Sequence, residues 1–162
     1  MKLVGTLFTV VVGLALISSQ ALADDRPRRA DFSRPQSPSL EAGRKAVDAK
    51  DFKSAIDHLT KAAKETPDDP DVHNLLGYSY RHQGQFEKSM EHYNVALKID
   101  PNHRGAHEYI GELYLQMDQL VNAEQQLQAL SKVCPWFGRC QEHEDLKAAI
   151  KKHKAAKSAA RR

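Results

Sequence analysis

The sequence predicts an all-α fold, an α-solenoid in which three helical hairpins stack in series and a last helix closes the array. A set of small, apolar and proline positions recurs along the chain with a constant 34-residue period. The chain is rich in Ala, Leu, Lys, Gln and Glu, which favour helices. Aromatic residues make up only 7% of the 162 residues, which disfavours a β-sandwich. This length corresponds to one compact domain.

Residues 1–23 have the pattern of a secretory signal peptide. Lys2 supplies a positive charge, residues 3–17 form an uninterrupted run without charged side chains, and Ala21 and Ala23 place small residues where a signal peptidase reads the chain. An uncleaved anchor is the alternative, but a membrane-spanning helix needs about 20 apolar residues, and this run is shorter. We therefore expect residues 1–23 to be removed and the protein to be periplasmic or secreted.

The next segment, residues 24–39, is predicted to be a disordered linker. It carries four arginines and three prolines and almost no apolar side chain. The whole chain has a net charge of +3, and loss of Lys2 with the signal peptide leaves +2. This charge is too small to indicate nucleic-acid binding, so we expect no nucleic-acid partner.

The 34-residue period is visible in five columns of the sequence. Gly43, Gly77 and Gly111 form the first column and are equally spaced at this interval. Because five columns keep one period over three cycles, we infer three structural repeats. The other four columns are Phe52, Phe86 and Leu120; Ala55, Ser89 and Ala123; Leu59, Tyr93 and Leu127; and Pro67, Pro101 and Pro135.

Each repeat predicts a pair of antiparallel helices. In the second, the apolar spacing predicts helices near 71–83 and 86–99, joined by a turn at Gly84. Pro101 ends the second helix, because proline disfavours helix in the residue before it. Small residues in the glycine and alanine columns allow the two helices to approach closely. The predicted repeats are residues 36–69, 70–103 and 104–137.

These hairpins resemble the tetratricopeptide repeat, a 34-residue helix–turn–helix unit. The second repeat is the best match, while the family's tryptophan is replaced by Ser39, His73 and His107. The resemblance implies a solenoid that binds segments of other proteins and has no enzymatic activity. The residues on the family's signature columns in the second repeat are Leu76, Gly77, Tyr80, Tyr93, Ala96 and Pro101.

A capping helix is predicted after the repeats, over residues 138–157. Leu146 and Ile150 lie at helical spacing and would cover the apolar face that the last repeat leaves exposed. Residues 158–162 are predicted to be a basic tail.

The resemblance also implies a partner groove, because in the family the first helix of each repeat lines a concave surface. We expect Tyr78 and Arg81 to face solvent there and to contact a peptide segment or helix of another protein, since aromatic and arginine side chains often dominate such contacts. The inward-facing residues, carried over column by column, are Arg44, Val47, Asp48, Asp71, Asn74, Tyr78, Arg81, His82, Glu108, Glu112, Leu115 and Gln116.

Some family members bind a terminal carboxylate with a lysine–asparagine clamp. Leu40, Arg44 and Leu75 hold clamp positions in this sequence, so we expect no recognition of C-terminal carboxylates.

The two cysteines, Cys134 and Cys140, lie close together in a chain with an export signal. We therefore predict an intramolecular disulfide. The alternative is a metal-handling protein in which these cysteines and His143 form a three-ligand site.

Catalytic sequence patterns are missing: there is no Gly-x-Ser-x-Gly motif and no phosphate-binding glycine-rich loop. We predict no catalytic residues, no cofactor, no metal and no small-molecule substrate. Self-assembly through an exposed repeat face remains a third possibility.

Overall fold

The computed structural model describes residues 37–134 and 140–160. Within these residues it contains seven α-helices and no β-strand, arranged as three hairpins and a final helix. The predicted all-α solenoid is therefore confirmed. The helices are α1 (Pro38–Asp48), α2 (Phe52–Glu65), α3 (Pro70–His82), α4 (Phe86–Ile99), α5 (Arg104–Gln116), α6 (Leu120–Val133) and α7 (Gln141–Ala160).

Polar caps fix where the first helix of each repeat begins. The Ser37 hydroxyl accepts hydrogen bonds from two backbone N–H groups at the start of α1, and the Asp69 carboxylate does the same for one N–H of α3. In the third repeat this role falls to Nδ1 of His103, which accepts from the N–H of Ala106 at 3.1 Å. Such caps satisfy N–H groups that have no partner inside the helix.

The turn inside each hairpin uses a left-handed residue at one fixed position of the repeat. Gly84 has a φ of 71°, and Lys50 and Asp118, which occupy the equivalent positions of the first and third repeats, have φ values of 58° and 60°. Only glycine adopts this conformation without steric cost. The left-handed backbone conformation therefore recurs every 34 residues, even though the residue type at this position differs between repeats.

The glycine column brings the two helices of a hairpin into contact. A Cβ atom on Gly77 would lie 2.5 Å from the ring of Tyr93, and one on Gly43 would lie 2.6 Å from Leu59. Tyr93 and Leu59 are fully buried. Ser89, on the small-residue column, donates a hydrogen bond of 2.7 Å to the carbonyl of Gly77, which ties α4 to α3.

Histidines at the position of the family's tryptophan join one repeat to the next. Nε2 of His73 lies 3.0 Å from the carbonyl oxygen of Pro67, and Nε2 of His107 lies 3.0 Å from that of Pro101. A carbonyl can only accept, so in each pair the imidazole donates. Both histidines therefore have the same structural role, which is to hold the start of one repeat to the end of the repeat before it.

The last helix packs on the third repeat. A Cβ atom on Gly111 would lie 2.5 Å from Leu146 of α7, whereas the glycines of the other two repeats meet the second helix of their own repeat. Leu146 is fully buried and Ile150 is 5% exposed. As predicted, these two residues cover the apolar face of the last repeat.

Several predicted boundaries change. Residues 37–39 belong to α1 and its cap instead of the predicted linker, because Pro38 suits the first helical turn and the hydroxyls of Ser37 and Ser39 both donate to the Glu65 carboxylate. The last helix begins at Gln141 and continues to Ala160, so most of the predicted tail is helical. The predicted signal peptide (1–23), residues 24–36 of the predicted linker, and residues 161–162 lie outside the described residues. So do residues 135–139, where the third repeat is predicted to end and the capping helix to begin.

The described part of the chain contains no helix with both the length and the apolar character that crossing a membrane requires.

The first prediction tests the close approach of the helices. Gly77→Leu and Ala123→Leu should each lower the free energy of unfolding by roughly 1–3 kcal/mol, because both sites are fully packed. Gln125→Leu, an exposed position on α6, is the matched control and should change stability little. Urea unfolding measures the three variants. Equal losses at all three positions would contradict the 34-residue register.

Candidate protein-binding groove

A groove of about 540 Å³ opens between α3, α5 and α7. It is formed by the first helices of the second and third repeats, and α7 contributes Ala149 to its rim. The last helix therefore completes this surface as well as covering the core. The lining residues, called the groove below, are Tyr78, Arg81, His82, Glu108, Tyr109, Glu112, Leu115, Gln116 and Ala149.

The sequence-predicted surface divides into two regions. Tyr78, Arg81, His82, Glu108, Glu112 and Gln116 come together in the groove, as does Leu115, which is 9% exposed. Arg44, Asp48, Asp71 and Asn74 are not among its lining residues.

The region outside the groove is an ion-pair network between repeats. Arg44 donates to the Asp71 carboxylate at 2.9 Å, and Nε2 of His103 lies 3.0 Å from the same group. The hydrogen bond from His103, with the Arg44 guanidinium, lowers the pKa of Asp71 to about 2. Asn74 is buried, with 8% exposure, while Asp48 is exposed. Arg44, Asp71 and His103 therefore link consecutive repeats.

Arg81 is the main correction to the predicted site. The sequence places it toward solvent, but its side chain is only 5% exposed and forms an ion pair of 2.7 Å with Glu112. Its guanidinium carbon lies 5.4 Å from the ring centre of Tyr78 and 5.6 Å from that of Tyr109. Arg81 therefore forms the floor of the groove and helps to fix α3 against α5.

Aromatic rings form one wall of the groove. The ring centre of Tyr78 lies 4.9 Å from that of Tyr109 and 4.4 Å from that of His82. Phe52, at the start of α2, stacks on His82 with ring centres 4.4 Å apart. Burial, together with the Arg81 charge, lowers the pKa of His82. The wall is thus preorganised by contacts between three helices.

Sequence reasoning misses three contributors to this site. Tyr109 follows Glu108 in α5 but is not on a column expected to face inward. Phe52 belongs to a packing column of the repeat, although it also supports the aromatic wall. Ala149 lies in the predicted cap, with no pattern that would assign it to the groove. The sequence could have indicated Tyr109, because it is a large aromatic residue next to Glu108, a predicted groove residue.

The groove is acidic at the α5–α7 side. Burial, and then the carboxylates of Glu112, Asp145 and Glu142, raise the pKa of Glu108 to about 8, although the charge of Arg81 acts in the opposite direction. Glu112 is paired with Arg81, and Glu142 lies 3.6 Å from Arg104. Glu108 has no hydrogen-bond or ion-pair partner among residues 37–134 and 140–160. It is a half-buried carboxyl group that the fold does not neutralise.

The cysteines exclude the alternative three-ligand site in this structure. Cys134 and Cys140 are joined as a disulfide, with Cα atoms 5.8 Å apart, inside the range such a bond needs. The two sulfurs are therefore bonded to each other. His143 instead has Nε2 3.2 Å from the Ser131 hydroxyl and Nδ1 3.2 Å from the Glu144 carboxylate. Within the described residues, no group of three or more His, Cys, Asp or Glu side chains is arranged so that it could hold a metal ion.

Comparison with known proteins identifies the repeat. Residues 40–104 match the tetratricopeptide repeat family model, in agreement with the resemblance found in the sequence. No curated protein matches the chain significantly.

Solved structures share the fold at low sequence identity. The first tetratricopeptide domain of Spaghetti (RPAP3), bound to an HSP90 peptide, is 18% identical over 74% of this chain and 90% of that one, with a TM-score of 0.62. The TPR2B domain of yeast Sti1, in a complex with pHsp70, is 15% identical over 73% and 94%, with a TM-score of 0.66. MamA from Desulfovibrio magneticus is 24% identical over 59% and 54%, with a TM-score of 0.56.

The buried position of Arg81 generates a stability prediction. Arg81→Ala should lower the free energy of unfolding by about 2 kcal/mol or more. The substitution leaves the Glu112 carboxylate without its partner and removes the contacts of the guanidinium with two tyrosine rings. Gln116→Ala, an exposed groove position, should be nearly neutral. Chemical unfolding at pH 7 compares the two. An unchanged midpoint for Arg81→Ala would place the guanidinium in solvent, as the column assignment predicts.

Glu108 should make stability depend on pH. Its pKa in the folded protein, about 8, is above the ordinary value of 4.5, so the folded state binds the proton more tightly than the unfolded state. The stability from this group is complete below pH 4.5 and is lost as pH rises through 8. Glu108→Gln should therefore raise the melting temperature relative to wild type at pH 9 and change it little at pH 4.5.

Thermal melts of wild type and Glu108→Gln at these two pH values test this. Glu91→Gln, at an exposed position on α4, is the control and should give the same small difference at both. A Glu108→Gln effect that is independent of pH would show that the carboxyl group titrates normally.

Proposed function

We propose that this protein is a non-enzymatic binding module that holds a peptide segment or helix of a partner protein in the groove. The observation that carries the proposal is the groove itself: about 540 Å³, walled by Tyr78, His82 and Tyr109 and edged by carboxylates. Rigid aromatic side chains are the residues that most often supply binding energy at protein interfaces. Their mutual contacts fix them before the partner arrives, which lowers the entropic cost of binding.

The similar structures support peptide binding as the general activity. One of them is bound to an HSP90 peptide, and another is in a complex with pHsp70. In this chain, two positions of the carboxylate clamp cannot serve that purpose, because Leu40 is 4% exposed in the core and Arg44 is paired with Asp71. We therefore propose that the bound segment is internal and not a free C-terminus.

We also propose that the protein acts in the bacterial envelope, as a periplasmic or secreted protein. The support is the signal-peptide pattern of residues 1–23 and the disulfide between Cys134 and Cys140, a bond that oxidising compartments favour. Intact mass of protein recovered from the envelope should give an N-terminus at Asp24 and no free thiol. A chain that keeps residues 1–23 and has two free thiols would contradict the proposal.

Site-specific photo-crosslinking in living cells tests the groove. A photoreactive amino acid at Gln116, which is exposed in the groove, should capture a partner protein, whereas the same amino acid at Gln125 on α6 should not. Adding Tyr78→Ala to the Gln116 derivative should reduce the yield at least tenfold while the protein stays folded. Equal capture from both positions would contradict a groove-specific interaction. A crosslink to a second copy would indicate self-assembly instead.

A further inference from the structure

Resting on the proposed function, we propose that the groove selects a segment that carries an arginine or lysine side chain, and that this cation pairs with Glu108 beside the Tyr78 and Tyr109 rings. The partner is therefore a basic segment of another protein. Three features of the groove support this assignment: its excess of carboxyl groups, its aromatic wall and the half-buried position of Glu108, which pairs with none of the described cations.

The charge around the groove is unbalanced. Glu108 and Glu112 project from α5, and Glu142 and Asp145 of α7 are close enough to act on Glu108. Arg81 from α3 neutralises Glu112, and Arg104 lies near Glu142. Glu108 is the lining carboxylate that no described cation pairs with. A basic side chain entering the groove would therefore meet a carboxyl group that is free to pair with it, with the carboxyl groups of Glu142 and Asp145 nearby.

The aromatic wall already holds one cation. The guanidinium of Arg81 lies within 5.6 Å of the ring centres of both Tyr78 and Tyr109 while it pairs with Glu112. A cation next to a tyrosine face is stabilised by the ring electrons, and more strongly where water is excluded. Glu108 lines the groove with Tyr109 and is close enough to raise the pKa of that tyrosine, so a second cation on the open side of the wall would find the same combination of carboxylate and ring.

Glu108 is costly to the free protein, which points to a ligand. Burial and three neighbouring carboxylates keep its pKa near 8, so at pH 7 it is mostly protonated and cannot contribute a charge to the fold. A bound cation would favour the ionised form and release the proton. The charged groups that face Glu108 are Glu112 on α5, Asp145 and Glu142 on α7, and Arg81 on α3.

The same features disfavour other occupants. An acidic segment or a terminal carboxylate would add charge of the same sign beside Glu108 and Asp145. A purely apolar helix would leave the Glu108 carboxyl group buried without a partner, which costs free energy. A basic segment is the occupant that satisfies both the carboxyl group and the rings.

Fluorescence polarisation with degenerate heptapeptides tests the inference on the mature protein. Four fluorescein-labelled libraries differ only in the central residue, which is Arg, Lys, Leu or Glu. We expect the Arg and Lys libraries to bind at least tenfold more tightly than the Leu and Glu libraries. Glu108→Gln should remove this difference, whereas Glu91→Gln, an exposed carboxylate outside the groove, should keep it.

The pH dependence adds a readout that a merely structural role of Glu108 would not produce. Affinity for the Arg library should rise about tenfold between pH 7 and pH 9, because the ionised fraction of a group with a pKa of about 8 rises from about one tenth to nine tenths. In Glu108→Gln the affinity should be constant over this range.

The outcomes separate the inference from the proposed function. Equal, Tyr78-dependent binding of all four libraries would overturn cation selection and leave peptide binding in the groove intact. A preference for Arg and Lys that survives Glu108→Gln would overturn the assignment to Glu108. Binding of no library, or binding that Tyr78→Ala does not weaken, would overturn both proposals.

Discussion

The close approach of paired helices at the glycine column is the constraint on which the rest of the structure depends. A Cβ atom at Gly77 would lie 2.5 Å from Tyr93, so only glycine lets the α3 and α4 axes come this near. That distance buries Tyr93 completely and brings Ser89 within hydrogen-bond distance of the Gly77 carbonyl. Because each repeat contacts mainly its neighbours, this local geometry sets the stacking of the whole array.

The last helix shows how one contact serves both stability and function. Leu146 of α7 reaches the glycine column at Gly111, and with Ile150 it removes the apolar end of the array from water. The same docking brings Ala149 to the groove and Asp145 near Glu108. The disulfide joins Cys134, which follows α6, to Cys140, which precedes α7, and so constrains where the last helix can dock. The groove would be incomplete without this helix.

Two of the charged groups in the groove stabilise the fold by pairing with each other, whereas a third, Glu108, does not. Arg81 and Glu112 neutralise each other between α3 and α5, and the guanidinium lies within 5.6 Å of the ring centres of Tyr78 and Tyr109. Glu108, one helical turn before Glu112, has no such partner in the part of the chain that the structure describes, and its ionised form is disfavoured by its surroundings. A strongly shifted carboxyl group in a concave surface is a frequent mark of a binding site. The proposed basic partner would supply the missing charge.

The sequence by itself determined the fold class, the 34-residue register, the approximate helix ends within the repeats and the burial of Leu146 and Ile150, because periodicity and helix-breaking residues act locally. Only the tertiary structure decided which groove columns face solvent. The position of Arg81 in the repeat predicts that its side chain faces solvent. In the structure its guanidinium is buried, because Glu112 pairs with it and the rings of Tyr78 and Tyr109 lie beside it. Burial is the main cause of the raised pKa of Glu108, and carboxylates of α7, which are distant from it in the chain, add to the shift. Packing between helices brings these side chains together. The apolar pattern within one helix carries no information about which side chains of another helix will lie beside it.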